Sequence, residues 1–326
     1  MFNNLINYHD LIKLIDLIQS RRINKLAKRL FQTNNEAIKE AWKFVDSPES
    51  HWWDIPAVKA RWNYLISGDP KLDYNSYIIQ KYLADKVSIK ALSLACGTGS
   101  RELRWAKFNN IDCIDAYDIS EERIAFAKRK ASESKFGKKV NFQVNDVNKI
   151  ELKQNYYDIV LAEQSLHHLS PLREIMERIN CFLKPNGYFI VNEFVGPSRF
   201  QWTERQIAVV NAILSILPVQ YKIRWNSKKV KSKVFKPSLL SMLLSDPTEA
   251  IQSSEIIPIL DDIFELVEIK GYGGTILALL LDDIAQNFIS MPDADQILSF
   301  CFEIEDLLIK HKEIQNDYVI AICRKH

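Results

Sequence analysis

An apolar run that ends in a glycine-bearing turn, followed about 20 residues later by a second apolar run closed by an acid, leaves a chain few folds to choose from. Here the first run is Ala91-Leu-Ser-Leu-Ala-Cys-Gly-Thr-Gly99, and the second closes in Tyr117-Asp-Ile-Ser120. This spacing builds a nucleotide pocket at the edge of an α/β sheet. Backbone N–H groups of the turn approach the ligand where glycine leaves room, and the carboxylate meets a ribose. The chain has only 9 glycines. Two sit in this turn and three in Gly271-Tyr-Gly-Gly274, so backbone freedom is concentrated at two points.

From residue 87 apolar runs of strand length alternate with helical segments, which predicts a doubly wound α/β sheet. Strands are expected near 89–95, 112–117, 139–144, 157–162, 187–194, 264–270 and 317–323. Ser120 is placed to N-cap a helix with Glu121 and Glu122 in its first turn and Lys128, Arg129 and Lys130 later. Ser170-Pro171 reads as an N-cap followed by proline at the first helical position, and Lys184-Pro-Asn-Gly187 as a turn.

Two regions lie outside this pattern. Residues 1–86 read as an N-terminal helical extension before an 87–326 nucleotide-binding domain. Within the extension, residues 5–31 set apolar and basic positions at helical period. They suit a helix packed on the body, with a dimer, partner or membrane-surface helix as alternatives. Residues 36–83 are rich in aromatics, among them Trp42, Trp52, Trp53 and Trp62. Between the fifth and sixth strands, about residues 196–261, lies an insertion that the sheet does not need; its length suggests a lid or substrate wall. It holds a helix after Thr203 and the basic run Lys222, Arg224, Lys228, Lys229, Lys231, Lys233 and Lys236.

Composition narrows the functional classes. A formal net charge of +2 creates no global field that demands nucleic acid. No apolar stretch approaches the ~20 residues needed to span a bilayer. The five cysteines form neither a zinc pattern nor a disulfide framework, and no metal site is expected. With no signal-peptide order at the N-terminus, the expected location is cytoplasmic.

The nucleotide follows from the turn. A dinucleotide fingerprint needs a third glycine where Glu102 stands, and a glutamate packed against the sheet requires a partner. The chain instead resembles the class I S-adenosylmethionine-dependent methyltransferases. Leu92-Ser-Leu-Ala-Cys-Gly-Thr-Gly99 is similar to their first motif, and Asp118-Ile119 to the acid on the ribose and the apolar residue beside the adenine. Asn145-Asp146 is similar to the pair that meets the adenine amino group, and Val147 follows it. Tyr157–Leu169 resembles the fourth motif and the segment after it, and Leu183–Glu193 the turn into strand five. The resemblance covers roughly residues 87–195 and 262–326. It implies a seven-stranded Rossmann-like sheet with an antiparallel seventh strand, and S-adenosylmethionine as cofactor. Ser93, Ala95, Cys96, Gly97 and Gly99 then line the methionine end, while Glu163 and Gln164 face cofactor or acceptor. The family often has an acid at the position of Ser93 and glycine at Ala95; Glu102 is placed to supply the missing charge.

Methyl transfer to oxygen needs in-line geometry and a base near neutrality. His168, His167 and Glu193 are the candidates, with His168 preferred. The segments around Trp52–Asn63, Val195–Trp202 and Gly271–Gly274 resemble a bacterial subgroup with an aromatic N-terminal extension. There Arg61 and Arg199 are candidates to pair acidic substrate groups, and Trp53, Trp202 and Tyr272 to wall the acceptor. The expected acceptor is a small or medium-sized natural product or saccharide, methylated on a hydroxyl, and a homo-oligomer is compatible with the sequence. An RNA methyltransferase using the basic run, and a non-catalytic protein that keeps the fold, are the alternatives.

Overall fold

The computed structural model describes residues 50–325. The readings of residues 5–31 and of Trp42 lie outside the described residues.

The strands are β1 (Ile89–Leu94), β2 (Ile111–Asp118), β3 (Val140–Val144), β4 (Tyr157–Glu163), β5 (Leu183–Phe194), β6 (Glu265–Gly271) and β7 (Tyr318–Arg324). They form one sheet in the order β3-β2-β1-β4-β5-β7-β6. Strands β1 to β5 run parallel, and β7 is antiparallel to both its neighbours. This is the predicted Rossmann-like methyltransferase sheet. One boundary moves: β5 begins at Leu183, not Gly187. Leu183 pairs with Tyr157 and Tyr188 with Ile159, so the expected turn is carried as a bulge inside the strand, with Asn186 at φ 59°.

The helices are α1 (Pro56–Ser67), α2 (Tyr74–Tyr82), α3 (Ser100–Trp105), α4 (Glu121–Ser132), α5 (Leu172–Phe182), α6 (Glu204–Ile216), α7 (Leu239–Ser245), α8 (Ile256–Ile263), α9 (Leu277–Leu281), α10 (Asn287–Ser290) and α11 (Ala294–Lys310). Ser120 caps α4, its Oγ accepting from the Arg123 N–H at 3.3 Å, and Thr203 with Gln206 forms a capping box on α6. Helix α5 starts one residue later than predicted, with Pro171 at the N-cap. Proline has no N-cap side-chain acceptor, and Gln252 Oε1 from the insertion takes the Leu172 N–H at 3.1 Å.

The core has three parts. Ile114, Ala116, Ile124, Ala127 and Phe142 pack one face of the sheet. Leu92, Val160, Ile179, Leu260 and Phe264 pack the other, so α8 belongs to the helical layer of the sheet even though it closes the insertion. A third cluster joins Val58 of α1, Ile213 of α6, and Leu280, Leu298 and Cys301 of the excursion between β6 and β7. Three separate stretches of sequence therefore build one helical cap. No described helix is long and apolar enough to cross a membrane.

Charge ties the parts of the cap to one another. Arg61, buried, sits 2.9 Å from Glu305 Oε2 and also pairs with Asp306. Glu305 Oε1 accepts from the N–H groups of Ile276 and Leu277 at 2.8 and 3.2 Å. Gly273, at φ 78°, lets this pair approach, because a Cβ there would lie 2.2 Å from Glu305 Oε2. At the outer edge, Tyr77, Lys81 and Tyr82 of α2 all bond Glu268 on β6. Burial raises the Glu268 pKa, but these partners outweigh it and hold the carboxyl at about 2. Removing one partner of a buried pair strands the other charge. Arg61→Ala should therefore lower unfolding free energy by about 3–5 kcal/mol in urea titrations. A loss below about 1 kcal/mol, the range of exposed pairs, would show that the clip is not structural.

Candidate active site

The site forms where β1 and β4 lie side by side, because their outgoing connections turn to opposite faces and open a crevice at the carboxyl ends of the strands. After β1 the chain enters the left-handed region at Ala95 (φ 54°), Gly97 (φ 58°) and Gly99 (φ 73°). A Cβ on Gly99 would lie 2.5 Å from the Phe142 ring, so only glycine fits. The Gly97 N–H donates to Asp118 Oδ2 at 2.8 Å and the Ser120 N–H to Oδ1 at 2.9 Å. This ties the turn to the end of β2. Each carboxylate oxygen retains acceptor capacity, as a ribose diol requires.

Glu102 is where the sequence argument demanded a partner, and it has one. Ser93 Oγ donates to its Oε1 at 2.7 Å, while its Oε2 is buried with no partner. Burial drives its pKa up to about 7. A carboxyl with one orphaned oxygen beside the turn fits the ammonium group of the cofactor's amino-acid end. Cys96 is an inert thiol, raised well above its usual value by burial and by Glu102 and Asp118. Ile119 is half-buried, and Val147 packs in the core with Leu92 and Tyr117. The Asn145 N–H donates to Asp118 O, and Asp146 Oδ1 accepts from the Asn148 N–H at 2.9 Å, capping its own turn.

At the end of β4, Glu163 is a hub. Its carboxyl takes hydrogen bonds from Tyr74 of α2 and Trp105 of α3, and its carbonyl accepts from Arg101 Nη1 at 2.8 Å. Gln164, at φ 54°, turns its amide to Asn192 O. Tyr74, Arg101 and Trp105 escaped the sequence reading. Arg123 did too, though a basic residue in the first turn of a helix opposes the helix dipole and marks another duty. Its guanidinium lies beside Gly97, and the charges of Asp118 and Asp246 both favour its protonated form.

Beyond it, Glu193 organises the histidines. Its Oε2 accepts from the N–H groups of Ser165 and Leu166 at 2.7 Å each, and its Oε1 from the Phe194 N–H at 2.8 Å. The same Oε1 is hydrogen-bonded to His167 Nδ1. The opposite nitrogen, Nε2, lies 3.5 Å from Glu249 Oε1, which the insertion contributes. Burial lowers the His167 pKa, but Glu193 and Glu249 outweigh it and leave it raised. His168 is pushed well below its usual value by burial and by His167, and its Nδ1 lies 3.4 Å from Thr248 Oγ1. Of the two candidate bases, His167 is the imidazole held by Glu193, while His168 faces Thr248. Ligand atoms of His167, His168 and Glu249 lie within 4.8 Å of one another, close enough to surround a small cation. Proton sharing suits them better: both His167 nitrogens face carboxyls, and burial pushes Glu249 up to about 7.

The expected substrate residues separate. Arg61 is taken up by Glu305 and Asp306, and Arg199 Nη1 donates to the Pro247 and Glu249 carbonyls, tying the start of the insertion to the segment that carries Glu249. Tyr272 is buried, its hydroxyl on Asn192 Oδ1 at 2.6 Å. Only Trp53 and Trp202 line a cavity, one of about 520 Å³. In the basic run, Lys222 bonds Leu214 O, Arg224 pairs with Asp283, Lys231 bonds Leu279 O and Asp282 O, and Lys236 pairs with Glu204.

Residues 85–260 match the family described as methyltransferase domain, and the chain belongs to it; S-adenosylmethionine is the cofactor. A demethylmenaquinone methyltransferase of Leptospira interrogans is 27% identical over 167 residues, covering 48% of this chain and 66% of that protein. A malonyl-acyl-carrier-protein O-methyltransferase of Ilyobacter polytropus is 29% identical over 142 residues, covering 40% and 53%. The chain thus spans between about half and two thirds of these relatives' length. It is also similar to a solved S-adenosylmethionine-dependent methyltransferase from Mesorhizobium loti, with 12% identity, a TM-score of 0.45, and coverage of 77% of this chain and 97% of that one.

Two outcomes follow from this geometry. Ala95 holds a left-handed conformation that disfavours any Cβ. Ala95→Gly should raise stability by about 1 kcal/mol, and thermal unfolding that shows a loss would contradict it. An ammonium beside Glu102 favours its ionised form, so binding releases a proton while pH is below about 7. Affinity for S-adenosylhomocysteine, measured by calorimetry, should rise from pH 6 to pH 8 in the native protein and stay flat in Glu102→Gln. Equal pH profiles would remove Glu102 from the cofactor site.

Proposed function

We propose that the protein transfers the methyl group of S-adenosylmethionine to a hydroxyl oxygen of a small molecule, a natural product or saccharide. The observation that carries this reading is His167, held at Nδ1 by a carboxylate with no solvent access and turned at Nε2 toward the insertion, 3.5 Å from Glu249 Oε1. The cofactor supplies an activated methyl group. Asp118, Ser93, Glu102 and the Gly97–Gly99 turn hold it, and Glu163 fixes α2 and α3 around its methionine end. His167 takes the acceptor's proton at Nε2, while Glu193 fixes its tautomer and offsets the charge that develops on the ring. Glu249 and Arg199 keep the insertion closed over this point, which excludes water. The two relatives are named for methyl transfer to a quinone precursor and to a carrier-bound acyl group, which agrees with acceptors outside nucleic acid. The RNA reading is weakened because Lys222, Arg224, Lys231 and Lys236 are already engaged within the protein.

A base that works as the free imidazole is lost by protonation. The rate should therefore rise with pH through a value above the ordinary ~6.5 of histidine. His167→Ala should lower kcat by about 10²–10⁴ with S-adenosylhomocysteine affinity unchanged. Glu193→Gln, which removes a charge that raises the His167 pKa, should move the acid limb to lower pH. Full turnover in His167→Ala would transfer the role to another group.

A further inference from the structure

The cavity of about 520 Å³ lies within the range of small-molecule sites. It does not reach His167. Phe194, which lines it, has its ring 6.2 Å from the His167 ring and 5.0 Å from Phe200. Its lining is rich in rings, among them Trp52, Trp53, Phe194, Phe200, Trp202 and Tyr318. Phe200 and Trp202 stack at 5.1 Å with an interplanar angle of 8°, and Trp53 stacks on His51 at 4.3 Å and 17°. The lining also includes Arg224, Lys231, Lys233 and Lys236, the members of the basic run that would suggest an anionic ligand. Three of these four charges are already answered. Arg224 pairs with Asp283 and Lys236 with Glu204, while the Lys231 ammonium donates to two backbone carbonyls and burial lowers its pKa to about 8. Lys233 is exposed to solvent. Asp317, the acid at the β7 side, is raised by burial to about 8. An anion entering here would lose water and gain only the solvent-screened ammonium of Lys233, whereas an uncharged ring gains several aromatic faces.

We propose that this cavity berths the non-reacting body of the acceptor, and that this body is an uncharged, flat aromatic ring system. The proposal rests on the methyltransferase reading, since it places the cavity one ring away from His167. Binding is tested on the full chain by calorimetry with 2-naphthol and 2-naphthoate, probes that share a ring system and differ in charge. Naphthol should bind at least tenfold more tightly than naphthoate, with little change between low and high salt. Trp202→Ala and Trp53→Ala should each weaken naphthol at least tenfold, while Lys233→Ala leaves it unchanged. Trp53 is 43% exposed, so its replacement does not threaten folding. Preference for naphthoate with loss in Lys233→Ala would overturn the proposal, as would absence of binding by either probe. A thermal shift with S-adenosylhomocysteine is measured on every variant. Its retention shows that the fold and cofactor site are intact, so failure of the probes then falls on the cavity; its loss in the native protein falls on the methyltransferase reading.

Discussion

Glu193 is fully removed from solvent at the end of a central strand, and the carboxyl edge of the sheet is organised around satisfying it. A buried carboxylate costs several kcal/mol unless its oxygens are bonded. Three backbone N–H groups and an imidazole meet that demand, and in doing so they fix the loop after β4 against the end of β5. The direction of the His167 ring is a consequence. So is the place where the insertion can rest, since Glu249 meets the other ring nitrogen and the Ile251 N–H donates to His167 O at 3.1 Å. Structure and proposed chemistry share one electrostatic cause.

The same logic recurs nearby. Glu163 gathers Tyr74 and Trp105, Asp118 gathers Gly97 and Ser120, and Glu102 is met by Ser93. Glu163, Asp118 and Glu193 sit at or next to the carboxyl ends of parallel strands and Glu102 in α3, and each binds a donor from a different segment. Their oxygens are not equally filled. Glu193 and Glu163 are taken up by protein donors and position other groups, while Glu102 keeps one buried oxygen without a partner. That difference separates groups that hold the frame from a group suited to a ligand.

Most strands were legible because a sheet buried on both faces needs continuous apolar runs, and such runs are visible in sequence. The Asp118 position was legible because the turn and the acid have a fixed separation. The helical cap was not. Helical periodicity marks α6 and α11 as helices but does not say that Ile213 meets Leu298, or that Arg61 meets Glu305 across 244 positions of chain. Arg199 illustrates the same limit, since an arginine near an acceptor loop reads as a ligand for anions until the carbonyls of Pro247 and Glu249 are seen beside it.

By itself the sequence determined the sheet, its glycine turn and the acid of its second strand, because these depend on local periodicity and short spacing. Only the tertiary structure set His167 rather than His168 against the Glu193 carboxylate, gave Lys222, Arg224, Lys231 and Lys236 internal partners, and brought three distant stretches together as a cap. Those outcomes depend on which buried charge finds which donor, and burial is a property of the assembled fold.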